Sequence, residues 1–256
     1  MRNVEIREMN VMRSIHAVLA VSALLAVAGC SSSVDGGARP ADDVETTTSA
    51  APAPVTTTTS AQPTPTLVPA AGGGDLLLKR SELGAVIGDT DLVETQAYNE
   101  VRRANVKIEP WACRSRALAG ETGVWAKKPT LVGNANRGAG GQAVTQMVSI
   151  FENPADITGQ GEALWIIDRE WRNCPDGDIF FIELDPETTQ RWVPYPIITG
   201  PDRMGTTFKR DGEPRNCHHV VSHRANVLVE VIVCTDGDSA APANTLTDRI
   251  LANVPT

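Results

Sequence analysis

An apolar stretch runs from Ile15 to Val27, with Arg2, Arg7 and Arg13 before it and Ala28, Gly29 and Cys30 after it. A basic start, an apolar centre and a small-residue exit are the layout of a secretory signal, and this centre is too short to remain as a spanning helix. The last four residues, Val27-Ala28-Gly29-Cys30, are similar to the lipobox of bacterial lipoproteins, in which cleavage before the cysteine leaves its thiol to carry a diacylglycerol. Residues 1–29 are therefore expected to be a signal peptide, started at Met1, Met9 or Met12, and Cys30 the lipidated first residue of the mature chain.

From residue 75 onward the hydrophobic positions recur at helix or strand spacing. Asn153-Pro154 reads as an N-cap followed by proline at the first helical position, after which Leu164, Ile167, Trp171 and Cys174 form an apolar stripe that ends at Cys174-Pro175. Gly159 and Gly161 weaken the first turns of this helix. A short helix is expected near Arg80 to Ile87, stopped by Gly88, and a last one from about Pro242 that buries Leu246, Ile250 and Val254. Strands are expected at 142–151, 179–184, 191–198 and 204–210. Strand runs bracketed by helices, without regular alternation, predict an α+β fold with an antiparallel sheet.

The clearest pattern is a hairpin. Residues 216–222 and 227–233 are rich in β-branched side chains, and Ala225-Asn226 fit a two-residue turn in which asparagine tolerates a left-handed backbone. In that register Val221 faces Glu230 and Cys217 falls opposite Cys234, at a non-hydrogen-bonded position where Cα atoms approach to about 4.5 Å, within disulfide range. Parity puts Val220, Val227, Val229, Val231 and Val233 on one face, expected to be the core side. The other face, with His219, Val221, His223, Leu228, Glu230 and Ile232, is half apolar and half ionisable.

Four cysteines follow the signal region, Cys113, Cys174, Cys217 and Cys234, an even number in an exported chain, which reads as two disulfides. With Cys217 joined to Cys234 by the hairpin register, Cys113 to Cys174 follows by elimination. No two of them are spaced as a Cys-x-x-Cys pair, which argues against zinc.

Composition separates the folded part from what precedes it. Between Cys30 and Gly74 the chain is dominated by Ser, Thr, Ala, Pro and Gly, with threonine runs at 46–48 and 56–59, and offers almost nothing to bury. Residues 30–74 are therefore expected to be a disordered tether, reaching on the order of 130 Å if extended as polyproline, and open to O-glycosylation. Residues 75–256 are expected to form one domain. The full chain carries a net charge of −8, and loss of residues 1–29 removes three arginines and two glutamates, which leaves −9. With no lysine or arginine cluster, that balance argues against nucleic acid and anionic membrane surfaces as partners.

Leu76-Leu77-Leu78, Glu82-Leu83-Gly84 and Gly88, then Cys113 and Trp125, Trp171-Arg172-Asn173-Cys174, Cys217, and Asn226-Val227 running to Cys234 together resemble the PknH-like extracellular sensor domain family, named for a mycobacterial serine/threonine kinase and shared by lipoproteins. The resemblance implies a bent antiparallel sheet flanked by helices, two disulfides and a large cleft for an unidentified ligand. The chain departs from the kinase in having neither a kinase segment nor a second spanning segment.

Among polar groupings, His218, His219, His223 and Glu230 stand out. His218 points away from His219, and His219 to His223 spans roughly 13 Å along a strand, too far to share one metal ion. The expectation that remains is that His219, His223 and Glu230 line a cleft wall and touch ligand. Gly138-Ala139-Gly140-Gly141 lacks the lysine and hydroxyl of a phosphate loop and reads as a turn. The five tryptophans, Trp111, Trp125, Trp165, Trp171 and Trp192, are suited to stacking on a sugar or an acyl chain, with core packing the simpler assignment for each. Asp176, Asp178 and Asp185 lack EF-hand spacing. With no Gly-x-Ser-x-Gly elbow and every domain cysteine assigned, no nucleophile is in view. The sequence thus points to a non-enzymatic, cofactor-free, lipid-anchored module on the extracytoplasmic face of the cell membrane. It would bind a small molecule or envelope component and present it to a protein partner. The rival readings are a carrier of lipid or cell-wall precursors, which needs a deep apolar cavity, an envelope hydrolase, which needs converging carboxylates, and a structural partner in a membrane complex.

Overall fold

The structure is a computed structural model, and it describes residues 65–100, 106–120, 128–185 and 187–256. The signal, Cys30, nearly all of the tether and Trp125 lie outside the described residues. Among those described, no helix is long and apolar enough to cross a membrane.

The folded region begins earlier than the boundary expected at residue 75. Val68 is buried, and after it come a 3-10 turn at Ala70–Gly72 and the single helical turn α1, Gly73–Leu76. Gly73 lies against the sheet so closely that a Cβ would stand 2.6 Å from Val132 Cγ1. Proline and glycine made this stretch look like tether. It folds because its main chain is bonded by side chains elsewhere in the domain.

Helix α2, Arg80–Ile87, ends at Gly88 in the left-handed conformation, as the sequence predicts. After it come β1 (Val93–Tyr98), β2 (Lys107–Glu109), a 3-10 turn at Trp111–Cys113, and α3 (Arg114–Ala117). Strands β3 (Thr130–Arg137) and β4 (Ala143–Ile150) form a hairpin around the glycine-rich turn. The single helix expected from Asn153 to Cys174 is two, α4 (Ala155–Thr158) and α5 (Ala163–Arg172), because Gly159 and Gly161 break it. Asn153 caps the first of these, its Oδ1 accepting the Ala155 N–H at 3.0 Å. Strands β5 (Phe180–Asp185), β6 (Thr188–Pro194), β7 (Ile198–Thr199), β8 (Arg203–Arg210), β9 (Asn216–Arg224) and β10 (Val227–Thr235) follow, and α6 (Ala240–Ala252) closes the chain.

The ten strands among the described residues join one antiparallel sheet in the order β1-β3-β4-β10-β9-β8-β6-β5-β2, with β7 paired to β8. The α+β class is as expected. Strands β1, β2 and β3 are additions to it: every side chain of β1 is exposed or half-buried, so the strand carries no alternating signal.

The hairpin β9–β10 is the centre of the sheet, and its register is the expected one, Val221 opposite Glu230 and Cys217 opposite Cys234. Its valine face packs with β4 under α1, α2 and α6, where Leu246, Ile250 and Val254 are all buried. The second face is not solvated. Leu228 and Val221 pack with α4, α5 and Met204, while Ile232 and Cys217 pack with Phe180, Trp192, Phe208 and the Cys113–Cys174 bridge. Helices on both sides therefore make the hairpin the middle layer of the domain.

Candidate functional site

Two disulfides fix the layer on the second face. Cys113 and Cys174 are joined with Cα atoms 4.6 Å apart, and Cys217 and Cys234 with Cα atoms 4.0 Å apart. The first ties the end of α5 to the turn before α3. The second crosses the middle hairpin.

Beside the first bridge, bonded to the Cys174 carbonyl, lies Arg116, which is wholly buried on α3. Its guanidinium donates to Thr206 Oγ1 at 2.9 Å, to the Cys174 carbonyl at 2.8 Å, to Asp176 Oδ1 at 2.7 Å and to the Tyr195 carbonyl. Burial pulls its pKa down, and the hydrogen bond and charge of Asp176 oppose that. One side chain thus joins α3, the end of α5, β8 and the β6–β7 link. Trp171 adds another tie, its indole N–H donating to the Ser115 carbonyl at 3.1 Å.

The structure brings His219 and Glu230 together and sets His223 apart. His219 is 0% exposed and Glu230 5%, so both lie in the interior beneath α3 and α5. His219 Nδ1 is 3.2 Å from the Arg116 carbonyl, and the ring stacks at a tilt on Trp171 with centroids 4.7 Å apart. Its Nε2 lies 3.2 Å from Glu230 Oε2 but off the hydrogen-bonding direction, and makes no hydrogen bond. The Glu230 carboxyl accepts the Gly120 N–H on both oxygens at 3.2 Å. Gly120 has φ +69°, and a Cβ there would sit 2.4 Å from Met147 Sδ, so glycine is required for that approach. His218, on the opposite face, is held neutral: burial, then repulsion from His219, pulls its pKa to about 4 against the pull of Asp238.

His223 is half-buried near the end of β9, where burial lowers its pKa and Asp202 opposes the shift. It lines an open depression of about 550 Å³ together with Asp202, Arg203, Arg224, Asp248 and the buried Ser222 and Leu251. Arg203 pairs with Asp248 and donates to Asn244 Oδ1 at 2.9 Å, and Arg224 donates to the Leu251 carbonyl at 2.8 Å. The walls therefore carry both signs of charge held in place by their neighbours. Two smaller depressions, of about 340 and 350 Å³, lie beside Cys174 and beside Val68.

Other groupings are resolved by their contacts. The glycine-rich stretch is the β3–β4 turn, closed by a Gly138 N–H to Gln142 carbonyl bond. Asp176 serves Arg116. Trp171 and Trp192 are core residues, whereas Trp111 and Trp165 are exposed. Sequence reasoning missed Arg116, Gln146 and Asn226. Arg116 follows Cys113 by three residues and carried no pattern of its own. Asn226 was read as a turn residue, yet only Ala225 of the turn has positive φ, at 49°. The asparagine is there for its amide.

A family model described as the PknH-like extracellular domain matches residues 68–253. Among solved structures, the extracellular domain of PknH from Mycobacterium tuberculosis is 20% identical, with a TM-score of 0.65 over 74% of this chain and 97% of that one. An uncharacterized protein from Mycobacterium smegmatis is 12% identical, with a TM-score of 0.35 over 69% of this chain and 96% of the other. No curated protein matches. The likeness to the first structure is one of fold.

Proposed function

Because this chain belongs to the PknH-like extracellular domain family, we propose that it is an extracytoplasmic binding module, tethered to the cell membrane through Cys30, that captures a small molecule or envelope component without chemical turnover. The observation that carries this reading is the depression around His223, open and lined by charges of both signs. Such a surface suits recognition of a polar ligand, with His223 and Arg224 at its wall. His219 and Glu230 lie away from that wall, in the interior beneath α3 and α5, where a buried polar pair serves a defined strand arrangement more than stability. A carrier of lipid or precursor would need a deep apolar cavity, which a depression of this polarity does not favour. Asp202 and Asp248 share the site, but Arg203 pairs with Asp248, an arrangement suited to binding charge rather than to hydrolysis.

Native mass spectrometry of the mature chain purified from its own host tests the reading. A bound small-molecule mass is expected, lost in His223→Ala and Arg224→Ala variants that unfold at the same denaturant concentration as the parent chain. An empty mass under gentle conditions would sink it.

A further inference from the structure

Trp111 is 65% exposed, in the 3-10 turn that leads into Cys113. It is not loose. The Arg114 guanidinium lies over the ring, 4.7 Å from its centroid, and Arg114 is itself only 5% exposed, its Nη1 donating to the Val106 carbonyl at 2.7 Å. One face of the indole therefore rests on a buried cation that is held by the main chain, and Cys113 is bonded to Cys174 two residues away. Among the described residues the other exposed tryptophan is Trp165, which stacks on Arg169, itself exposed, so it lacks this backing.

We propose that Trp111 is a carbohydrate-stacking platform, taking the ring face of a sugar from an envelope glycan. A rigid indole has already lost its rotamer freedom, so stacking on it costs little further entropy. Scale selects the occupant. A protein interface needs roughly 800 Å² per partner, whereas a tryptophan offers about 150–250 Å² in all. That area matches one sugar ring presenting its C–H face. The surroundings agree: Glu109 stands two residues before Trp111, opposite the exposed Phe181 in the β2–β5 pair, and an exposed carboxylate accepts sugar hydroxyls. An anionic bilayer fits poorly, because the chain is acidic overall and Glu109 stands on this edge, where the one lysine of β2, Lys107, is already paired with Glu183. The proposal depends on the extracytoplasmic setting of the family and is independent of the His223 depression.

The test titrates the mature chain with muramyl disaccharide and with soluble galactan and mannan hexasaccharides, following indole Nε1–H resonances by heteronuclear NMR. At least one probe is expected to shift the Trp111 signal with saturation, and Trp111→Ala, followed by isothermal titration calorimetry because the reporting indole is gone, is expected to stay folded with only a slightly lower midpoint from loss of the Arg114 contact and to bind at least tenfold more weakly. Arg114→Met is expected to weaken binding several-fold by freeing the ring. Absence of saturable shifts with all three sugars, or equal binding by the Trp111→Ala variant, would overturn the proposal. So would Trp111-dependent flotation with phosphatidylglycerol vesicles in place of sugar binding. Loss of sugar binding leaves the His223 variants and their bound mass untouched, so the two readings fail separately.

Discussion

Asn226 and Val68 exchange two hydrogen bonds across 158 residues of chain: the Asn226 Oδ1 accepts the Val68 N–H at 2.9 Å, and its Nδ2 donates to the Val68 carbonyl at 2.9 Å. The same Nδ2 donates to the Phe151 carbonyl at 2.7 Å. A single turn amide thus holds the start of the folded region and the end of β4 to the central hairpin. Gln146 repeats the device at Leu78, pairing with its N–H at 3.0 Å and its carbonyl at 2.8 Å.

Asn226→Ala should strand three main-chain groups in a buried site. With a net loss of about 1 kcal/mol per bond plus the desolvation of unpaired groups, the expected destabilisation is roughly 2–4 kcal/mol. Asn226→Asp, whose second oxygen would face the Val68 and Phe151 carbonyls in a buried site, should cost at least as much as alanine. Urea unfolding of the mature chain measures both, and limited proteolysis should cut first near residues 65–70 in the alanine variant. Equal midpoints for parent and alanine variant would show that the clamp does not bind the segment.

Arg116→Met should cost roughly 2–4 kcal/mol, because the buried Thr206 hydroxyl and Cys174 carbonyl lose a donor away from water, whereas half-exposed Asp176 stays solvated and the Tyr195 carbonyl keeps the Thr206 hydroxyl. Arg116→Lys should cost nearly as much, since one ammonium cannot span acceptors arranged around a planar fork. Thermal unfolding of both variants checks the claim; a lysine variant as stable as the parent would contradict it.

What the sequence disclosed was what repeats or what must turn. The hairpin register with its Cys217–Cys234 bridge, α2 with its Gly88 stop and α6 follow from periodicity or parity in residues close in sequence, and Cys113–Cys174 then follows by elimination. Strands β1 to β3 did not show, since β1 buries almost nothing and β3 interrupts its apolar positions with Gly133, Asn134 and Asn136. The burial of His219 and Glu230 was equally hidden. Parity placed them on one face, but only the long-range arrival of α3 and α5, set by Cys113–Cys174 and Arg116, decides that the face is covered. Asn226 and Gln146 look like ordinary polar residues because their partners are main-chain atoms 158 and 68 positions away.

The two disulfides should differ in weight. Cys113–Cys174 closes a separation of 61 residues and Cys217–Cys234 one of 17. Chain-entropy arithmetic gives about 4 kcal/mol for the longer loop and about 3 kcal/mol for the shorter. The Cys113→Ser/Cys174→Ser pair should therefore lower the unfolding midpoint more than the Cys217→Ser/Cys234→Ser pair. Peptide mapping without reductant should recover Cys113 with Cys174 and Cys217 with Cys234. Peptides joining Cys113 to Cys217 would be incompatible with the observed sheet.

Acid sensitivity should trace to His218. Its Nδ1 is 2.8 Å from Thr207 Oγ1 in a buried setting, and burial, followed by repulsion from His219, brings its pKa from the ordinary histidine value of 6.5 to about 4 despite Asp238. Above pH 6.5 the imidazole is neutral in both the folded and the unfolded chain, and the site contributes no pH dependence. Between pH 6.5 and about 4 the unfolded chain binds a proton that the folded chain refuses, so stability falls as the pH falls. Below about 4 both forms are protonated and the loss levels off, at most roughly 3 kcal/mol for a shift of this size. Equilibrium unfolding of the mature chain from pH 8 to pH 4 should show that decline. His218→Gln, which cannot take up the proton, should reduce the decline over the same window and leave the part due to His223, whose pKa burial also lowers, and a slope unchanged by that substitution would assign the acid sensitivity to another group.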